Sequence, residues 1–141
     1  MTTVALDAGG IMAADTGSIT GTLKSGKNAT QKVMRIGDTC YGYAGEAAQC
    51  LAVIHYLSGQ TNDKPRFLNK ADFSIMAVKD GKALIYVEDF YPYAADPPVA
   101  IGSGADIATT AMFLGHSAVD AVRAAIKLDL YSSGRVQQLK T

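Results

Sequence analysis

The chain has 141 residues, 48% hydrophobic and 18% charged, with 13 basic residues against 13 acidic ones. That is enough for one domain with a real core, and a net charge near zero argues against nucleic acid or an anionic membrane surface as partner. No apolar run approaches the ~20 residues of a membrane span, no charged-then-apolar signal segment opens the chain, and Cys40 and Cys50 are too few for a disulfide framework and wrongly spaced for a zinc or redox motif, which fits a reducing cytoplasm.

Residues 3–6 and 11–15 read as two short strands around the turn signal Asp7-Ala8-Gly9-Gly10, a hairpin. Residues 16–30 are rich in Gly, Ser and Thr and form an excursion with at most weak strand character. A second hairpin joins 32–36 to 39–44 around Gly37-Asp38. Residues 46–57 are helical, because Ala47, Cys50, Leu51, Ile54 and Leu57 recur at helix spacing, and Gly59 supplies the stop. Residues 60–70 are polar, contain Pro65 and read as loop. A third hairpin, 73–78 with 83–88, closes through Lys79-Asp80-Gly81-Lys82. Residues 89–98, with Pro92, Pro97 and Pro98, bridge to a short strand at 99–101. Two helices follow, 105–114 and 117–128, split at Gly115, the second capped by Ser117 with Asp120 after it. Residues 135–140 are a last strand candidate. With no repeat, low-complexity run or linker, residues 1–141 read as a single domain. Blocks of strands alternating with blocks of helices imply an α+β class, with antiparallel sheets and helices segregated to outer layers. Two sheets face to face, each covered by helices, suit this order; one α+β sheet suits it nearly as well.

The start of the chain carries the chemistry. Removal of Met1, which is ordinary before a small residue, leaves Thr2 with a hydroxyl and a free α-amine in one residue. A hydroxyl is a poor nucleophile without an adjacent base, and an N-terminal amine of pKa ~8 can be that base, directly or through one water. Thr3 is expected to be dispensable for the chemistry.

Thr2-Thr3-Val4, Met12-Ala13-Ala14-Asp15-Thr16, Lys32-Val33, Tyr43-Ala44-Gly45 and Ile101-Gly102-Ser103-Gly104 occur in the order seen in proteasome β-subunits. The chain resembles equally the bacterial proteasome-related peptidase HslV, and the similarity extends to a late Asp129 followed by Ser132, Ser133 and Gly134. The resemblance implies a four-layer αββα sandwich of two antiparallel sheets and an N-terminal-nucleophile hydrolase. Thr2 would be the nucleophile, Lys32 the cation that lowers the pKa of its hydroxyl and amine, and Asp15 the carboxylate that orients that lysine. The backbone N–H of Gly45 would supply the oxyanion hole, and Ser103, Asp129 and Ser132 the polar network around the terminal amine. Ser18, Thr30, Met34, Tyr43 and Ala47 would line a mid-sized, mostly apolar specificity pocket without a fixed charge. The implied activity is a threonine-type endopeptidase needing no cofactor, acting on peptides or unfolded proteins inside a homo-oligomeric ring, with an ATP-dependent unfoldase as candidate partner. The alternatives are a small-molecule amidase using the same chemistry and a catalytically silent subunit that keeps the fold.

Taken one at a time, these residues have plainer readings: Asp15 as a turn cap, Gly45 as a helix start, Gly102-Ser103-Gly104 as a tight turn, and Lys32 as a solvated strand lysine with Lys24 and Lys27 as rivals. Jointly they favour catalysis. Gly21-Thr22-Leu23-Lys24-Ser25-Gly26-Lys27-Asn28 falls one residue short of a phosphate-binding loop and opens no helix. His55 and His116 lie too far apart to suggest a metal pair. The stretch between Leu57 and Phe73 is shorter than the resemblance requires for a second long helix, which predicts one thinned outer layer.

Overall fold

Asp7 turns the first hairpin: its Oδ1 accepts from the Ile11 N–H at 3.0 Å, joining β1 (Thr3–Leu6) to β2 (Ile11–Asp15). The computed structural model describes residues 2–20, 23–24, 30–67 and 70–141. After β2 come the two-residue strands β3 (Ile19–Thr20) and β4 (Leu23–Lys24), then β5 (Val33–Ile36), β6 (Thr39–Gly45), α1 (Ala47–Leu57), β7 (Phe73–Lys79) and β8 (Lys82–Val87). The chain ends with β9 (Tyr93–Ala95), β10 (Val99–Gly102), α2 (Ala105–Phe113), α3 (Ala118–Leu128) and β11 (Val136–Lys140). The phosphate-loop-like run and Lys27 lie outside the described residues, apart from the backbone of β4.

Two antiparallel sheets stack face to face. One has the order β10-β1-β2-β11 and the other β5-β6-β7-β8-β9. Period-two alternation sorts each strand's residues between layers. Val4, Leu6, Met12 and Ala14 from the first sheet meet Val33, Cys40, Met76, Val78 and Ile85 from the second in the central core. The intervening residues Ala5 and Ala13 point outward to Ala108, Ala118, Ala121 and Val122 of α2 and α3. Alanine on both sides lets these helices lie close on the sheet. On the opposite outer face, Tyr41, Tyr43, Phe73 and Ile75 pack on Cys50, Val53 and Ile54 of α1. The αββα reading is therefore correct, and the single-sheet alternative is not.

The outer layer over the second sheet holds α1 alone among the described residues. Phe67 and Phe90 take part of the missing helix's place by packing on Phe73, with ring centroids 5.7 and 5.9 Å away. Beyond them Tyr41, Leu57, Ala77, Leu84 and Tyr86 line an open trough of about 390 Å³. The strand β9 was not expected between prolines. Pro92 and Pro97 confine it to three residues, and as the edge strand paired to β8 it tolerates them. No described helix is long and apolar enough to cross a membrane.

Candidate active site

The site forms where the first residues of β1 meet the end of β10. The pairing of Thr3 with Gly102 places Thr2 just beyond the strand, buried at 3% exposure. Gly102, at φ +96°, is required there, because a Cβ would sit 2.0 Å from the Thr2 carbonyl oxygen. The tight-turn reading of Gly102-Ser103-Gly104 thus understates it: the turn is shaped to the N-terminal residues.

Asp15 closes β2 with a fully buried carboxylate. Its Oδ1 accepts from the Thr3 N–H at 3.0 Å and from Lys32 Nζ at 3.1 Å, and its Oδ2 accepts from the Ser133 N–H at 2.9 Å. Lys32 precedes β5 of the other sheet, so the ion pair ties the two sheets together, and its ammonium also donates to the Gly17 carbonyl. Burial pushes the Lys32 pKa below the ordinary lysine value, and the charge and hydrogen bond of Asp15 oppose this without cancelling it. An ammonium so placed gives up its proton at a lower pH than a surface lysine.

Ser103 and Ser132 both donate to Asp129 Oδ2, each at 2.6 Å, and Ser103 Oγ also lies 3.4 Å from the Thr2 carbonyl oxygen. For Asp129 the largest single influence is burial, which favours the neutral acid, but hydrogen bonds from the two serines and from the Tyr131 backbone, together with the N-terminal charge, outweigh it and hold the carboxyl below its ordinary value. It remains an acceptor at neutral pH.

A cleft of about 220 Å³ opens beside Thr2, lined among others by Ser18, Thr30, Lys32, Tyr43, Gly45 and Ala47. Gly45 has φ +125°, and a Cβ there would meet the Asp72 carbonyl oxygen at 2.6 Å, so only glycine fits this rim. Of the residues singled out from the sequence, the cleft gathers Thr2, Lys32, Gly45, Ser18, Thr30, Tyr43 and Ala47, with Asp15 behind Lys32 and the Ser103–Asp129–Ser132 network behind Thr2. Met34 is not among the lining residues: it stands opposite Tyr41 on β6 and packs on the α1 side.

Sequence reasoning missed three participants. Glu46 lines the cleft and caps α1, accepting from the Ala48 and Gln49 N–H groups at 3.2 and 2.9 Å, so the pocket carries an acidic group that the resemblance did not imply. Gln137 of β11 accepts from the Lys32 N–H and donates to the carbonyls of Asp15 and Thr30, each at 2.9 Å. Thr3, expected to be dispensable, is fully buried and bonded to Ser132 through its hydroxyl. A threonine or glutamine in a strand, or a glutamate before a helix, is too common to have singled these out. Among the described residues no group of three or more His, Cys, Asp or Glu could hold a metal ion.

By sequence, neither a family model nor a curated protein matches the chain. Solved structures do share its fold over the whole length. BPH of Thiobacillus denitrificans, a bacterial proteasome homologue, superposes with a TM-score of 0.78 at 17% identity, covering 100% of this chain and 97% of that one. The same protein in complex with epoxomicin gives 0.73 at 17% identity, covering 100% and 98%. The eukaryotic HslV from Trypanosoma brucei gives 0.75 at 20% identity, with both chains covered in full. The fold is that of the proteasome β-type and HslV proteins.

Proposed function

We propose that the chain is a threonine-type endopeptidase whose nucleophile is Thr2 once Met1 is removed. One observation carries the reading: Thr2 and the buried, Asp15-paired Lys32 line the same cleft, with the Gly45 backbone on its rim. In the first step the Thr2 α-amine takes the hydroxyl proton, directly or through one water, while Oγ1 bonds to the scissile carbonyl carbon. The adjacent Lys32 charge favours the forming alkoxide. The carbonyl oxygen becomes an oxyanion, which the Gly45 N–H is suited to receive. Collapse breaks the C–N bond, and the proton passes to the leaving amine. Water then cleaves the Thr2 ester by the same route, restoring the hydroxyl.

The cleft's size fits one substrate side chain of moderate bulk, and Glu46 adds a negative charge at its edge. BPH having been solved with epoxomicin supports testing a peptide epoxyketone on this chain. Such a probe should add once, at Thr2, in protein lacking Met1. Cys50 is a poor competitor, since burial pushes its thiol up to about 12. Intact mass and peptide mapping read the outcome. Labelling that survives Thr2→Ala, or maps to Cys40 or Cys50, refutes the mechanism, and a turnover panel of peptides against small amides separates a peptidase from an amidase.

Assembly belongs to the same proposal. Phe113 and Leu114 at the end of α2, and Leu128 and Leu130 at the end of α3, are between 72 and 82% exposed, and Leu114 and Leu128 help line a groove of about 790 Å³ that runs between the two helices. Apolar surface of this kind supports a homo-oligomer that encloses Thr2, with an ATP-driven unfoldase as candidate partner. Light scattering tests it: a monomer at micromolar concentration with full peptidase activity overturns the chamber.

A further inference from the structure

We infer that Thr3 is a positioning residue: its backbone N–H is held by the Asp15–Lys32 pair and its hydroxyl by the Ser103–Asp129–Ser132 network, so that the peptide link after Thr2 is fixed from both sides by a bond only the hydroxyl can complete; this rests on the peptidase reading above. Three observations support it. The Thr3 side chain is fully buried, and its Oγ1 lies 2.6 Å from Ser132 Oγ. Ser132 has one hydroxyl proton and gives it to Asp129 Oδ2 at 2.6 Å, so Thr3 must be the donor to Ser132. On the other side, the Thr3 N–H donates to Asp15 Oδ1 at 3.0 Å, the same oxygen that receives Lys32.

The surroundings are cut to this hydroxyl. A Cβ on Gly104 would sit 2.0 Å from Thr3 Oγ1, and 3.0 Å from the Ala125 Cβ of α3. Gly104 is also the N-cap of α2, where it makes no side-chain hydrogen bond. A serine or aspartate there would cap the helix but would collide with Thr3. The helix start has given up its cap to seat the threonine. Valine would fill the same strand position with nearly the same shape, so packing alone does not explain a hydroxyl there.

The test compares wild type, Thr3→Val, Thr3→Ser and Thr3→Ala, with turnover of a fluorogenic peptide and the rate of epoxyketone addition at Thr2 as readouts. Thr3→Val should keep the circular dichroism and assembly state of wild type, lower kcat and the labelling rate about tenfold or more, and leave KM within about twofold. Thr3→Ser, which keeps the donor, should stay within about threefold of wild type, and Thr3→Ala should fall with Thr3→Val. Wild-type kcat in Thr3→Val, or Thr3→Ser as impaired as Thr3→Val, overturns the inference. If Thr3→Val does not fold, the contrast between Thr3→Ser and Thr3→Ala decides it in the same way. Wild type neither labelled at Thr2 nor active removes the peptidase reading and this inference together, whereas labelled wild type with an indifferent Thr3→Val removes the inference alone.

Discussion

Gln137 clamps Lys32 by the backbone. Its Oε1 accepts the Lys32 N–H at 2.9 Å, while its Nε2 donates to the carbonyls of Asp15 and Thr30 at the same distance. One half-buried amide thus spans the gap between the sheets at the root of the candidate site. Gln137→Leu strips hydrogen bonds from four main-chain groups, the Val33 N–H at 3.4 Å being the fourth, and should cost about 1–3 kcal/mol of stability. It should also lower kcat by about tenfold, because Lys32 loses its register against Thr2. Thermal melts and steady-state rates check both, and a variant with unchanged kcat shows that Lys32 keeps its position without Gln137.

The Asp15–Lys32 pair should fail asymmetrically. Asp15 has two backbone donors besides Lys32, so Lys32→Met leaves its carboxylate partnered, and the fold should survive while turnover falls by about 10²-fold or more. Lys32→Arg should not restore it, since guanidinium is bulkier and does not give up its proton near neutral pH. Asp15→Ala leaves a buried ammonium uncompensated, and breaking such a pair costs about 3–5 kcal/mol. Denaturant midpoints for the two variants read the difference; near-normal rates in Lys32→Met end the proposed mechanism.

The Asp129 network sets an acid limit. A carboxyl whose folded pKa lies below its ordinary 3.8 contributes stability that is fully present above that value and is lost as pH falls through the lower folded value. Wild type should therefore lose stability to Asp129→Asn only below about pH 4, and the two unfolding curves should converge as the acid is deepened. Urea midpoints measured from pH 2 to pH 7 check it. A difference between the proteins that does not shrink with acid would locate the role of Asp129 in packing and not in charge.

Much of this fold can be read from local signals. The three hairpins follow from turn residues between apolar strands, α1 from helix spacing, and α3 from the split at Gly115 and the cap at Ser117. Boundaries moved by one or two residues, as with β5 starting at Val33 because the Lys32 N–H is taken by the Gln137 side chain. The strand β9 was invisible because three residues between prolines carry no pattern of their own. In the site, charged residues with an implied partner were legible, and Asp15 and Lys32 meet as expected. Gln137 and Thr3 were not, because their roles depend on which strand lies beside them. Met34 shows the converse: its number suited a pocket, but strand pairing sets it against Tyr41, one step away from the cleft.

The strand that carries Thr2 is an inner strand, flanked by β2 on one side and β10 on the other. Its hairpin partner is made at once, but Gly102, Ser103, Asp129, Ser132 and Gln137 all emerge from the ribosome late. A nascent chain therefore bears Thr2, the proposed nucleophile, from the first moments of synthesis with nothing to orient it. Contacts this distant in sequence form slowly and near the end of folding. On the proposed mechanism the order of translation itself delays activity, since an unfinished chain lacks β11 and with it the glutamine that holds the Lys32 backbone.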